Sequence, residues 1–281
     1  MPPTIIEQFI QSKSGFPDLC EDGLFISRHF IAVIDGVTGK GSLRWPEEEG
    51  MYRPDSMTSG IYARCLLMSA LEQMPADADA LSAIIYLNNR LTEASRCRLE
   101  YLKTHPEERL QAVIVLYSCL RKEIWCFGDC QYITDGERFT HPKKIDELLS
   151  ELRSLYNQAE MVLGSGLREL TEDDSGRRAI LPLLRRQMVL ANTDSPWGYD
   201  VLDGFDIHPE RTVIHKVAPG TQVVLASDGY PDLRPTLAES EAALAELLTK
   251  DPLCIWENRG TKGLVQGNLS YDDRTYVRFS V

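Results

Sequence analysis

The residues best placed to do chemistry are aspartates at the ends of apolar runs. Asp22 stands immediately before Gly23-Leu24-Phe25-Ile26-Ser27, and Asp35 follows Phe30-Ile31-Ala32-Val33-Ile34 in an Asp35-Gly36 pair. Asp228 follows Val223-Val224-Leu225-Ala226-Ser227 and precedes Gly229. Asp272 lies just ahead of the last apolar run, and Asp129 closes Trp125-Cys126-Phe127-Gly128. A carboxylate at a strand end is held rigidly yet faces the mouth of a fold. Several converging there make a hard, oxygen-rich site, suited to Mg²⁺ or Mn²⁺ rather than zinc. Glycine after Asp35 and Asp228 lets the backbone come close, so a main-chain carbonyl can also coordinate. A single Asp-Gly after a strand is ordinarily only a turn. Its recurrence beside apolar strands is what points to a site.

The elements that must position these residues follow from periodicity. Short strands are predicted at 23–27 and 30–34, then helices at 56–74 and 78–103 separated by Pro75. A sheet-like run follows at 112–117, 123–127 and 131–134, with Asp135-Gly136 as a hairpin signal. Residues 143–162 have helical spacing, with Ile145, Leu148, Leu149, Leu152, Leu155, Tyr156 and Ala159 on one stripe read as core packing. Residues 164–178, rich in Gly, Ser and charge, read as a surface loop. Further strands are expected at 186–191, 211–217 and 222–227, a helix at 237–248 and a closing strand at 275–281. Segregated blocks of this kind favour an α+β fold over a doubly wound parallel sheet.

Composition narrows the class. With 43% hydrophobic and 26% charged residues, the 281-residue chain is neither a disordered tail nor a disulfide scaffold. Its net charge of −12 argues against a nucleic-acid partner, which would call for a basic stripe. The N-terminal segment lacks the basic and apolar regions of a secretory signal, and no run is long enough to span a membrane. The Cys residues are scattered, which suits reduced thiols and a cytoplasmic location. Cys126-x3-Cys130 lacks zinc-site spacing and reads as a pair of strand residues. The His residues show no paired metal spacing.

Taken in order, a set of segments resembles the motifs of the metal-dependent, type 2C serine/threonine protein phosphatases. They are Glu21-Asp22, Ala32-Val33-Ile34-Asp35-Gly36-Val37-Thr38-Gly39, Phe127-Gly128-Asp129-Cys130, Leu225-Ala226-Ser227-Asp228-Gly229-Tyr230-Pro231-Asp232 and Asp272-Asp273-Arg274-Thr275-Tyr276-Val277. The resemblance implies one domain over residues 1–281, built as two stacked antiparallel sheets flanked by helices in a four-layer αββα sandwich. Residues 164–210 lie where members of the family carry a flap. It also implies a pair of Mg²⁺ or Mn²⁺ ions, with Asp35 bridging both and Gly36 supplying a carbonyl. Asp22 would serve one ion, with Glu21 beside it ligating through water, and Asp228 and Asp272 would hold the other. Asp129 and Asp232 match positions that help a weaker third ion in some members.

The reaction so implied is attack on a phosphoserine or phosphothreonine ester of a phosphoprotein by a hydroxide shared between the ions. Asp35 and Asp228 are then the central catalytic carboxylates, in a signalling enzyme. Departures from the family concern substrate handling. Val37 stands where many animal members carry a His that protonates the leaving group. No Arg precedes the first acidic motif; Lys13 is the nearest phosphate-binding candidate, with Arg28, Lys40 and Arg44 as substitutes. Leu110-Gln111 replaces a Gly-Thr pair, and Cys130 a Ser. Trp197-Gly198-Tyr199 is either a substrate contact or a packed loop. Two other readings stand beside the protein phosphatase: a catalytically weak or inactive module that kept the fold for binding or regulation, and a phosphomonoesterase acting on small molecules.

Overall fold

A computed structural model describes residues 2–46 and 57–281. Residue 56, the first of the predicted helix 56–74, lies outside them. In chain order the elements are β1 (Thr4–Gln11), β2 (Asp22–Ile26), β3 (Phe30–Gly36), α1 (Ser59–Gln73), α2 (Ala80–Ser95), α3 (Leu99–Thr104), β4 (Ala112–Ser118), β5 (Glu123–Phe127), β6 (Gln131–Thr134) and β7 (Glu137–Phe139). They continue with α4 (Lys144–Val162), α5 (Leu167–Glu172), α6 (Ser175–Arg186), β8 (Val213–Lys216), β9 (Gln222–Ala226), α7 (Leu237–Lys250) and β10 (Arg274–Ser280). The strands form two five-stranded sheets, ordered β1-β10-β9-β6-β7 and β2-β3-β4-β5-β8. Every pairing is antiparallel.

The unbroken apolar run of β3 has a direct cause. Successive strand side chains point to opposite faces, and both faces of this strand are covered. Phe30, Ala32 and Ile34 pack with Leu67, Leu87 and Leu91 of α1 and α2. Ile31 and Val33 pack instead with Val223, Leu225, Val277 and Phe279 of the other sheet. The outer face of that sheet, through Val224, Ala226 and Tyr276, meets Leu244 of α7. The layers are therefore helices, sheet, sheet, helix, the α+β sandwich expected.

Several sequence expectations are corrected. β1 was not foreseen: its residues alternate between exposed and half-buried along a sheet edge, with Ile6 and Ile10 left on the exposed side. The supposed loop 164–178 holds α5 and the start of α6. Its acidic run is partly a helix cap, with Asp174 Oδ1 accepting from the Arg177 N–H at 2.7 Å. The supposed strand 186–191 is a 3₁₀ turn over Gln187–Leu190. The predicted helix 78–103 is two helices, α2 and α3, joined by a 3₁₀ turn.

Only part of the apolar stripe of α4 is core: Leu149 packs with Ile180 and Leu184, and Ile145 lies against them. Leu148, Leu152, Leu155 and Tyr156 are exposed, and the buried side is Leu149, Ser150, Arg153, Ser154 and Asn157. Polar residues win that side because a turn-rich segment offers them unpaired backbone groups. Arg153, fully buried, donates to the carbonyls of Leu253, Cys254 and Gly260 and to Asp174 Oδ2. Ser154 donates to the Ile255 carbonyl at 2.6 Å. One guanidinium thus ties α4, the cap of α6 and the 253–260 segment together. Replacing it by Met takes the buried cation from Asp174 Oδ2 and the donors from the Leu253 and Gly260 carbonyls. Arg153→Met is expected to cost about 3–5 kcal/mol, read as a lower urea midpoint with an unchanged slope.

Candidate metal centre

The pairing of β2 with β3 sets Asp22 opposite Asp35. Asp228 follows the end of β9 and Asp272 precedes β10, its neighbour in the second sheet. The two sheets therefore deliver their acidic turns to the same end of the sandwich. Asp129 arrives there on the connection from β5 to β6, where the chain passes from one sheet to the other.

Close backbone approach completes this end. A Cβ on Gly36 would lie 2.4 Å from the Gly60 carbonyl and 2.7 Å from that of Glu21. A Cβ on Gly60, in the first turn of α1, would lie 2.8 Å from Glu21 Oε1 and 3.0 Å from the Gly36 carbonyl. Only glycines let these oxygens crowd together. Gly36 was expected from its motif. Gly60 was not, because a glycine at a helix start carries no functional signal of its own.

Asp35, Gly36, Asp129, Asp228 and Asp272 line one cavity of about 110 Å³, with Glu21 and Thr38 at its edge. Its other walls hold Lys40, Lys143, Arg177 and Lys262, with Leu184, Gln187, Met188 and Tyr199. Neither Lys13, Asp22 nor Asp232 lines it.

The acidic groups differ in how they are satisfied. Asp22 Oδ2 accepts from the hydroxyls of Ser227 at 2.6 Å and Thr275 at 2.9 Å, binding β2 to the other sheet. Asp273, which the sequence reading passed over, accepts from the N–H groups of Lys13 and Glu21, both at 2.7 Å. Glu21 accepts from Thr38, Thr58 and Lys13. Asp272 pairs with Lys262 and, at 3.4 Å, with Lys13. Asp129 Oδ2 pairs with Lys143 at 2.8 Å, while its buried Oδ1 has no hydrogen-bond partner. Asp232 is held by Arg234 and Arg138 at a half-exposed turn. Lys13, proposed for substrate, is engaged with Glu21, Asp272 and Asp273. Trp197 is exposed and away from the cavity, whereas Tyr199 lines it under the Lys143 ammonium.

Among the described residues, Asp35 and Asp228 have neither a side-chain hydrogen bond nor an ion pair. Burial, then the charges of Asp228, Asp22 and Asp272, push the Asp35 carboxyl well above its ordinary value. Enclosure, then Asp272 and Asp129, push Asp228 up to about 7. Burial is also the main cause of the rise of Asp22 to about 8, partly offset by the Ser227 hydroxyl. Burial opposes ionisation of Asp272, yet Lys262 and Lys13 hold its carboxyl below the usual range. Burial, with Asp22 and Asp273, pushes the Cys20 thiol beside the acidic pair up to about 12, which disfavours its thiolate.

Unpartnered carboxylates beside a crowded set of carbonyls are donors that a hard dication fits. Among the described residues no three His, Cys, Asp or Glu side chains close on one ion-sized point, so carbonyl and water oxygens would complete the shell.

These shifts have a thermodynamic consequence. A carboxyl whose pKa is higher folded than unfolded stabilises fully below the unfolded value and loses that contribution as pH rises through the folded one. For Asp22 and Asp228 the window runs from 3.8 up to about 8 and about 7. In EDTA, the protein's melting temperature is expected to fall between pH 5 and pH 8, and Asp228→Asn to fall less. Thermal unfolding at both pH values checks this.

No family model and no curated protein matches the chain. Among solved structures, it is similar to the catalytic domain of the serine/threonine protein phosphatase PstP in complex with two manganese ions. Identity is 15%, 98% of each chain is covered, and the TM-score is 0.47. For the Mycobacterium tuberculosis serine/threonine phosphatase PstP/Ppp the identity is 14%, with 99% of each chain covered and a TM-score of 0.46. RsbX in complex with magnesium is similar at 13% identity, over 99% of this chain and 98% of that one, with a TM-score of 0.45.

Proposed function

We propose that this chain is a divalent-metal-dependent phosphatase of the type 2C class, hydrolysing phosphoserine and phosphothreonine esters in proteins. The observation that carries the reading is the pair Asp35 and Asp228: opposed carboxylates from two different sheets, without partners, in one roofed cavity. The ordered motifs, and the manganese and magnesium of the similar solved structures, favour the same reading.

In this reading Asp35, Asp228 and Asp272, with the Gly36 carbonyl and with Glu21 acting through water, would hold Mg²⁺ or Mn²⁺ ions. The orphaned Oδ1 of Asp129 suits a weaker third ion. Asp22, with its hydroxyl partners, steadies β2 against β9 and β10 from beneath the ligands. The ions would supply Lewis acidity to a water and screen the phosphoryl oxygens. The chain's own part is to fix the carboxylates on strand ends, so that no reorganisation is needed during reaction. Leu184, Met188 and Tyr199 in the lining of the cavity would limit water around the ester. Val37 has no proton to give the leaving oxygen, and in this reading solvent would supply it. A cytoplasmic phosphoprotein substrate accords with the acidic chain and its free cysteines.

One observation favours a second reading. The ammonium groups of Lys13 and Lys262 already neutralise Asp272, and that of Lys13 also neutralises Glu21. Such internal cations suit a binding or regulatory module that works without metal.

Hydrolysis of p-nitrophenyl phosphate and of a phosphoserine peptide, each with Mn²⁺ or with EDTA, separates the readings. The expected result is Mn²⁺-dependent turnover of both, reduced at least about a hundredfold in Asp35→Asn and Asp228→Asn. Turnover of neither supports the regulatory module. Turnover of the small ester alone points to a phosphomonoesterase of small molecules.

A further inference from the structure

The cavity has a cationic side that the proposed ligands leave unexplained. Lys40 from the chain after β3, Arg177 from the first turn of α6 and Lys262 from the segment before β10 all line it. Lys262 is paired with Asp272. Among the described residues, Lys40 and Arg177 have no carboxylate at ion-pair distance. Lys40 Nζ donates to the Thr38 carbonyl at 2.5 Å, and Arg177 Nη1 to the Thr261 carbonyl at 2.6 Å. These bonds aim the two cations without neutralising them.

Grouping cations this way costs free energy. Desolvation, then the charges of Arg177 and Lys262, push the Lys40 ammonium down to about 7. Burial, then Arg153, lowers Arg177. The scaffold imposes the arrangement, since α6 is fixed at its cap by Asp174 and through it by Arg153. Asp146 shares the cavity and acts on both at longer range, but neither Lys40 nor Arg177 is ion-paired; held beside Lys262 and facing a wall of carboxylates, they match a ligand with anionic oxygens on one side and a metal-seeking face on the other.

We propose that Lys40 and Arg177, with Lys262 beside them, form the phosphoryl-binding subsite of this cavity. The ligand class is a dianionic phosphate, either the ester group of a substrate or inorganic phosphate. The role expected of Lys13 passes to them, because the Lys13 ammonium is engaged by Glu21, Asp272 and Asp273 and lies off the cavity. Arg177 keeps most of its guanidinium N–H groups for paired bonds to phosphate oxygens. The inference rests on the phosphatase reading for its ester arm; its phosphate arm stands apart.

The test uses the whole chain loaded with Mn²⁺. Inorganic phosphate binding is measured by calorimetry, and kcat and KM are measured with p-nitrophenyl phosphate. Arg177→Gln and Lys40→Gln are each expected to weaken phosphate binding about tenfold or more. KM should rise by a similar factor while kcat falls less. Arg177→Lys should recover part of the affinity. Arg185→Gln, on the exposed face of the same helix, should bind phosphate as the parent does. Parent-like phosphate binding in Arg177→Gln and Lys40→Gln overturns the subsite, as does a parent that binds no phosphate. If Arg177→Gln fails to fold, Lys40→Gln, outside any helix or strand, decides alone. A parent that binds phosphate in this way without turnover sinks the phosphatase reading and leaves the subsite standing. Turnover that neither variant alters sinks the subsite and leaves the phosphatase.

Discussion

Two sheets can present acidic turns at one shared edge only if the resulting repulsion is answered. In this molecule it is answered in different ways at different depths. Deepest, Asp22 and Asp273 are satisfied by hydrogen bonding, from hydroxyls in one case and backbone N–H groups in the other. Further out, Glu21, Asp272 and Asp129 lean on Lys13, Lys262 and Lys143. Asp35 and Asp228 receive neither remedy. A fold that supplies donors to every neighbour and withholds them here concentrates its unsatisfied charge at one place, where a metal is worth most.

The same logic joins stability to function. Hydroxyl clamps on Asp22 hold the sheets in register, with residues from distant parts of the sequence meeting at one carboxylate. That clamp needs a buried acid, and a buried acid is costly to ionise. The site is thus built from groups that weaken the empty protein so as to welcome cations, the usual tension between a rigid scaffold and a charged centre.

Much of this was legible in the residues. The apolar runs at β3, β4 and β9 announced strands, and Asp35 and Asp228 at the ends of two of them pointed to a candidate site. What escaped had physical reasons. β1 is an edge strand whose polar and apolar residues are both partly exposed, so its alternation carries little contrast. α4 hides a largely polar side and shows most of its apolar stripe, because several of its buried partners are backbone carbonyls. Gly176 and Pro182 masked α6, although Ile180 and Leu184 pack beneath it. Of the cations, Lys143, Arg177 and Lys262 come from segments without motifs. Only folding brings them to the carboxylates, so spacing along the chain held no trace of them.

The Arg153 knot has a mechanical meaning. It fastens the cap of α6, which carries Arg177, and the 253–260 segment, which leads into Thr261 and Lys262, to one point on α4. The Arg177–Thr261 bond closes the triangle. Arg177 and Lys262 therefore sit on a single stiff leaf hung from α4, whereas Asp35 and Asp228 belong to the sheets. A change that loosened Arg153 would therefore reach both cations at once and leave the strand-borne carboxylates in place.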